Sequence, residues 1–220
     1  MRITYEQIRQ SEEINTYIAQ ADASLLALGF TEHSFAHVAR CAEMASGLLR
    51  DLGYSDREVE LAKIAGYMHD IGNVVNRHDH AISGATMAFR ILDNMGMEPA
   101  DVAAVITAIG HHDDKTAFPV NAVAAALILA DKTDVRRSRV RNRDTIRFDI
   151  HDRVNYAVTD QTLKINIDKK VISLNLQIDT DICSMYEYFE IFLNRMLMCR
   201  GAADLLGATF KLTANGAKVL

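Results

Sequence analysis

A histidine and an aspartate stand side by side at His69-Asp70, inside the stretch Tyr67-Met68-His69-Asp70-Ile71-Gly72-Asn73. An imidazole nitrogen beside a carboxylate suits zinc, iron, manganese, cobalt or nickel rather than calcium. The dipeptide alone decides little, because most such pairs are a buried histidine with a structural hydrogen bond and a surface carboxylate. The remaining histidines decide it. Of eight, all but His151 fall between His33 and His112, and Asp131 follows them. Besides His69 and Asp70, the candidates for metal or substrate are His33, His37, His78, His80, His111, His112 and Asp131. The chain reads as a metal enzyme.

The elements that must deliver these groups can be read from the same residues. Ser55-Asp56-Arg57-Glu58 has the form of a capping box, which starts a helix near Asp56. Leu61, Ile64, Ala65 and Met68 repeat at helical spacing, so one face is buried and His69 is carried inward beside it. Gly72 is expected to end that helix, whose unpaired carbonyls favour a cation near Asp70. His33 and His37 share one face of an earlier helix, being four residues apart. Asp79 is expected to cap a helix running to Met95, and Pro99 to occupy the first turn of the next. That helix buries Val102, Val105, Ile106 and Ile109 and ends at His111-His112. The two histidines point about 100° apart at 3.6 residues per turn, so both serve one site only if it holds two ions or one of them meets substrate.

Elsewhere, Ile8, Ile14, Ile18 and Leu25 predict helix over 4–28, closed by Gly29, and a second helix follows over about 32–52. The apolar run Ala122 to Ala130 predicts a core helix reaching Val135 and delivering Asp131. After about Phe148 the period changes to two: Val154–Val158, Leu163–Ile167 and Val171–Ile178 alternate apolar with polar, as half-buried strands do. Asp168-Lys169-Lys170 is a plausible hairpin connection, a helix follows over about 182–199, and a short strand is expected over 208–212. Composition is that of an ordinary globular chain, with 49% hydrophobic and 24% charged residues over 220 positions. A net charge of -5 argues against a nucleic-acid polymer as partner. No stretch approaches the ~20 apolar residues of a membrane span, and the N-terminus lacks the apolar region of a signal peptide, so a cytoplasmic location away from membranes is expected. Cys41, Cys183 and Cys199 are odd in number and far apart, and read as small buried hydrophobes in a reducing compartment.

The order of these parts resembles the HD-domain superfamily of metal-dependent phosphohydrolases. His37-Val38-Ala39-Arg40, followed by Ala42, Ala45 and Leu48, looks like its first helix, and Met68-His69-Asp70-Ile71-Gly72 like its signature. His80-Ala81-Ile82-Ser83-Gly84-Ala85 resembles the next block, His111-His112-Asp113 the paired histidines of the two-metal branch, and Leu129-Ala130-Asp131-Lys132 the closing aspartate. The resemblance spans about residues 30 to 140. It implies a mainly α fold, an HD-type helical bundle over 1–147, to which the period-two segments add a small C-terminal α+β extension with a β-hairpin over 148–220. It also implies His37, His69, Asp70, His80, His111, His112 and Asp131 as ligands for one or two divalent transition-metal ions (Mn, Fe, Co, Ni or Zn). His33 stands where the HD-GYP branch has glutamate, in reach of substrate or metal. Asn73 replaces that branch's lysine, and the residues after His112 lack Gly-Tyr-Pro, which speaks against a cyclic-di-GMP phosphodiesterase.

The chemistry follows from the residue types. Asp70 is the natural bridge, because a carboxylate has two oxygens and an imidazole offers one nitrogen at a time. Two ions about 3.5–4 Å apart lower the pKa of a shared water, giving a metal-activated hydroxide, and offset charge on a phosphate oxygen. Asp70, His112 and His33 are the expected catalytic groups. Lys132, Arg136, Arg137 and Arg139 follow Asp131, and arginine's planar fork suits phosphate, so Lys132, Arg136 and Arg137 are the expected substrate clamp. The reading is hydrolysis of a small phosphorylated substrate, a nucleotide or a comparable metabolite. Two alternatives stay open, a di-iron oxygenase of the same fold and a nucleotide-sensing module without turnover, and so does a homodimer.

Overall fold

A computed structural model describes residues 2–113, 118–141 and 150–220. The helices are α1 (Tyr5–Gln10), α2 (Glu12–Ala27), α3 (Phe35–Asp51), α4 (Asp56–Met68), α5 (His80–Asn94), α6 (Pro99–Gly110), α7 (Ala122–Lys132), α8 (Ile150–Ala157) and α9 (Met185–Leu205). The strands are β1 (Val158–Asn166), β2 (Val171–Ile178), β3 (Thr209–Ala214) and β4 (Ala217–Lys218). The fold is helical with a small C-terminal sheet, as the sequence implied.

The bundle is built around α7. Every residue from Val123 to Ala130 is buried, and the helix packs against α3, α4, α6 and α9. Four alanines in that run let neighbouring backbones come close, so the carboxylate of Asp131 emerges from the centre of the bundle. The sheet has the order β1-β2-β3-β4, with β2 and β3 parallel across α9 and the other pairs antiparallel. Leu174, Leu176, Tyr188, Phe192, Met196 and Phe210 join the same apolar core as the helices, so α9 and the sheet close one side of the bundle. The boundary expected at 147/148 lies outside the described residues. Among the described residues no helix is long and apolar enough to cross a membrane.

The capping box at Ser55 and Glu58 starts α4, with both reciprocal bonds formed. Several local expectations change. The helix expected over 4–28 is two, because Ser11 ends α1 and its hydroxyl then accepts from the Ile14 amide to start α2. Val154–Ala157 is helical, not a strand: Val154 and Ala157 are three apart and fully buried, a spacing that a short alternating run also satisfies. Asp79 precedes α5 in the left-handed region at φ 58, and its carboxylate pairs with His78 at 2.6 Å instead of capping the helix. The last helix of the bundle stops at Lys132, three residues early, and Thr133 turns its hydroxyl onto the Leu129 carbonyl at 2.7 Å.

Gly72 has a different task from the one expected. Helix α4 ends at Met68, and Gly72 sits in a 3-10 turn over Ile71–Val74. A Cβ there would meet the His80 carbonyl oxygen at 2.0 Å and the Gly84 amide at 2.4 Å. The residue is small so that the chain after Asp70 can lie against the start of α5, which carries His80.

Candidate metal centre

Helix ends and starts converge on one buried point. His37 comes from the first turn of α3, held by the Ser34 cap. His69 caps the C-terminus of α4, Asp70 follows it, His80 opens α5, His112 follows α6, and Asp131 lies in the last turn of α7. His37 Nε2 is 3.6 Å from Asp70 Oδ2 and 3.4 Å from Asp131 Oδ1. His69 Nε2 is 3.2 Å from Asp70 Oδ2 and 3.9 Å from Asp131 Oδ1. On the other side of Asp70, its Oδ1 lies 3.5 Å from His80 Nε2 and 4.0 Å from His112 Nε2.

Each ring is fixed from behind through Nδ1. That atom meets the Asp134 carboxylate in His37 at 2.8 Å, the Gly66 carbonyl in His69 at 2.8 Å, the Arg77 carbonyl in His80 at 3.1 Å and the Ile109 carbonyl in His112 at 2.6 Å. A carbonyl only accepts, so Nδ1 carries the hydrogen, and in the neutral ring Nε2 is left as a lone pair facing inward. His80 and His112 bring their Nε2 atoms within 3.2 Å of each other, and His69 Nε2 and Asp70 Oδ2 are buried with no hydrogen-bond partner. Lone pairs and carboxylate oxygens pointed at one another repel until a cation stands among them. This donor set fits a metal ion, and the backing hydrogen bonds are those that orient metal-binding histidines.

The electrostatics agree for three of the rings; at His69 burial opposes protonation, but the charges of Asp70 and Asp131 outweigh it and raise its pKa, so without a cation this ring is the one that takes up a proton. Burial pushes the imidazole pKa of His112 and of His33 well below the ordinary value, and lowers that of His80, so these rings stay neutral. Burial works against ionisation of Asp70, but the neighbouring His69, 3.2 Å away, outweighs it and holds the carboxyl well below the usual carboxylate range. Burial likewise opposes ionisation of Asp131, and the charge of Lys132 outweighs it. Cys41 Sγ lies 3.7 Å from the His37 ring, close enough to join a ligand set with His37, His69 and Asp131. Burial, reinforced by Asp131 and Asp134, pushes its thiol pKa well up, so without a cation it packs there as a neutral side chain.

The centre forms the floor of a cavity of about 480 Å³, to which Asp70, His80, His112 and Asp131 contribute. His33 lines it too, with Nδ1 bonded to the Thr31 carbonyl at 2.7 Å. His78 and Phe30 also line it, and Arg77 stands with its guanidinium 5.7 Å from the Phe30 ring centre. Lys132, 2.8 Å from Asp131 Oδ2, and the buried Arg139 supply positive charge. The C-terminal extension adds the remaining wall: Asp152 and Asn155, one helical turn apart on α8, and Arg195 of α9.

Three expected site residues stand elsewhere. His111 does not line the cavity, because the turn that aims His112 inward rotates its neighbour away. Arg136 bonds Asp134 at 2.5 and 3.0 Å behind His37, and Arg137 donates to the Tyr156 carbonyl at 2.5 Å; both face a second cavity. The helix ends at Thr133, and the chain beyond it carries both side chains to the second cavity. Sequence reasoning also passed over Asp134, although a carboxylate three residues after Asp131 is a visible cue. Arg77, Asp152, Asn155 and Arg195 carried no sequence signal.

Helix ends that present histidines and aspartates to one buried point are the arrangement of an HD domain, and residues 34–136 match the HD domain family. Residues 34–136 are therefore similar to HD domains, which bind divalent metals and are for the most part metal-dependent hydrolases. It is also similar to an uncharacterized protein of Methanocaldococcus jannaschii, at 24% identity, over 64% of this chain and 62% of that protein. The chain thus matches less than two thirds of that relative's length. No solved structure matches the chain.

Proposed function

We propose that the protein is a metal-dependent phosphohydrolase acting on a small phosphorylated substrate. The observation that carries this reading is the pair of orphaned buried atoms, His69 Nε2 and Asp70 Oδ2, of which Asp70 lines a cavity whose walls carry Lys132, Arg77 and Arg195. His37, His69, Asp70 and Asp131 would hold one divalent ion, and His80 and His112 would complete a second position across Asp70. When bound, the metal supplies Lewis acidity that makes a water more acidic and offsets charge on a phosphate oxygen.

The chain's own residues do the rest. Asn73 donates to Asp70 Oδ1 at 2.9 Å and to its carbonyl at 3.0 Å, which fixes the carboxylate between the two groups of histidines. Asp134 holds His37 in the tautomer that presents Nε2. His33 has its hydrogen on Nδ1, toward Thr31, so it brings an unprotonated Nε2 into the cavity and can accept a proton there. Lys132 and Arg195 are placed to take phosphate oxygens. A nucleotide is the substrate favoured by Phe30, a half-exposed ring at the cavity with Arg77 over it, which offers a flat surface to a base.

The test is metal analysis of protein purified without chelator, followed by a panel of phosphomonoesters and phosphodiesters including nucleotides. Release of phosphate or nucleoside monophosphate that is lost in Asp70→Ala supports the reading. A folded, metal-loaded protein that cleaves none of the panel removes it.

A further inference from the structure

A second cavity, of about 450 Å³, opens between α3, the 3-10 turn at Arg137–Arg139 and β1, and shares no lining residue with the first. Arg40, Arg136 and Arg137 line it, together with the Gln161 amide and the hydroxyls of Ser138 and Thr159. Three buried donors there have no acceptor: Arg40 Nε, Arg137 Nη2 and Gln161 Nε2. Buried donors are nearly always paired, because an unpaired one carries an uncompensated desolvation cost. Three around one cavity, from three different elements, point to an occupant that accepts.

The acids nearby do not fill that place. Asp134 is engaged by the Arg136 fork and by His37, and although Arg40 Nε stands 3.3 Å from it, the two are not aligned as a hydrogen bond. Arg137 Nη2 is 3.6 Å from Asp179, beyond hydrogen-bond distance. Gln161 Oε1 already accepts from Arg40 Nη2 at 3.3 Å, which leaves its Nε2 as the donor. Asp160 also lines the cavity and offsets one of the three positive charges. The volume falls in the range of small-molecule sites. A planar carboxylate has two oxygens, whereas three donors set around one cavity on a helix, a turn and a strand suit a tetrahedral group.

We propose that this cavity binds the phosphate group of a small phosphorylated anion, held by Arg40, Arg137 and Gln161. The site does not depend on what the metal centre turns over. It is tested on the full chain, metal-loaded, by calorimetric titration with inorganic phosphate, comparing the native chain with Gln161→Glu and Arg40→Gln. Lys132→Ala serves as the control for phosphate bound in the first cavity. Gln161→Glu keeps the shape and the acceptor to Arg40, but replaces the free donor with a negative charge. Each of the two variants should weaken one phosphate-binding event by about ten-fold or more, as loss of a bond to a charged group does, and leave any event sensitive to Lys132→Ala in place. Phosphate binding unchanged in folded Gln161→Glu, or sensitive only to Lys132→Ala, overturns the proposal. Should Arg40→Gln fail to fold because Arg40 also faces Asp134, the strand variant decides alone.

Discussion

Asp134 Oδ2 lies 2.8 Å from His37 Nδ1, on the side of the ring away from the cavity. Burial works against ionisation of this carboxylate, yet the His37 and Arg136 hydrogen bonds and the Arg139 charge hold its pKa well below the ordinary range. It is therefore an anion that takes the Nδ1 hydrogen of His37 and makes Nε2 the better ligand. Asp134→Asn should lower metal affinity about 10–100-fold, the usual cost of losing such a partner. Competition against a chromophoric chelator measures it. Unchanged affinity in a folded variant would mean that Asp134 only ties the Arg136–Arg139 turn to α3.

Gly72 gives a prediction with an internal control. Its missing Cβ is occupied by backbone of His80 and Gly84, which cannot swing away as a flexible side chain could. Gly72→Ala should cost about 3 kcal/mol or more through overpacking, and weaken metal binding as His80 is pushed off Asp70. Gly47, inside α3, has nothing within 4 Å of the same position, so Gly47→Ala should stabilise by about 0.5–1 kcal/mol through helix propensity alone. Thermal unfolding of the two variants reads both signs, and a mild Gly72→Ala would deny the close approach of the two segments.

These two residues also mark how far the sequence could be read. His37, His69, Asp70, His80, His112 and Asp131 were singled out by the order and context in which they resemble the HD pattern, and each stands at or beside a helix end. His111 could not be separated from His112 by pattern, since one residue of rotation at the end of α6 decides which of them faces inward. Arg136 and Arg137 were misplaced because the helix end at Thr133 depends on a hydroxyl reaching back to Leu129, which leaves no mark in hydrophobic periodicity. The cavity wall from Asp152, Asn155 and Arg195 depends on how α9 packs against α7 and α8 against α9 and the 3-10 turn at Arg137–Arg139. Long-range packing of that kind is invisible to local spacing.

Tyr188 predicts a response to alkali. The side chain is fully buried, its hydroxyl has no partner, and burial pushes its pKa up; Tyr5 is pushed up to about 12, mostly by burial. An acid whose folded pKa lies above its unfolded value of about 10 holds its proton more tightly when folded. That contribution is present in full below the unfolded pKa and is lost as pH rises through the folded value, so stability should fall above about pH 10. Tyr188→Phe should leave stability at neutral pH unchanged or raise it by up to about 1 kcal/mol, and flatten the alkaline loss. Urea unfolding on either side of that pH checks both parts. A large loss at neutral pH would show that the hydroxyl is bonded in solution.

Arg195 separates the wall of the cavity from its floor. The residue comes from α9, beyond residues 34–136, and its guanidinium lies 4.6 Å from the Phe192 ring centre at the cavity side of the extension. If it takes a phosphate oxygen, Arg195→Ala should lower kcat/KM on a phosphorylated substrate by about ten-fold or more while metal content stays the same. Equal kinetics for the variant and the native chain would assign α9 to structure alone.

The last prediction separates hydrolysis from oxidation. A hydrolytic site needs a Lewis acid that keeps its oxidation state, so several divalent ions should support turnover and oxygen should be irrelevant. An oxygenase on the same ligands needs iron and an electron supply. The Nε2 atoms of His80 and His112 beside Asp70 Oδ1, with Lys132 on the adjoining wall, place nitrogen and oxygen donors with no redox bias next to a cation suited to phosphate. Manganese- or cobalt-loaded protein is therefore expected to release phosphate or a nucleoside monophosphate under anaerobic conditions, and Asp70→Ala, still folded by thermal melting, to release none. Turnover seen only with iron and only in air, with no phosphate ester cleaved, would move the assignment to the oxygenase.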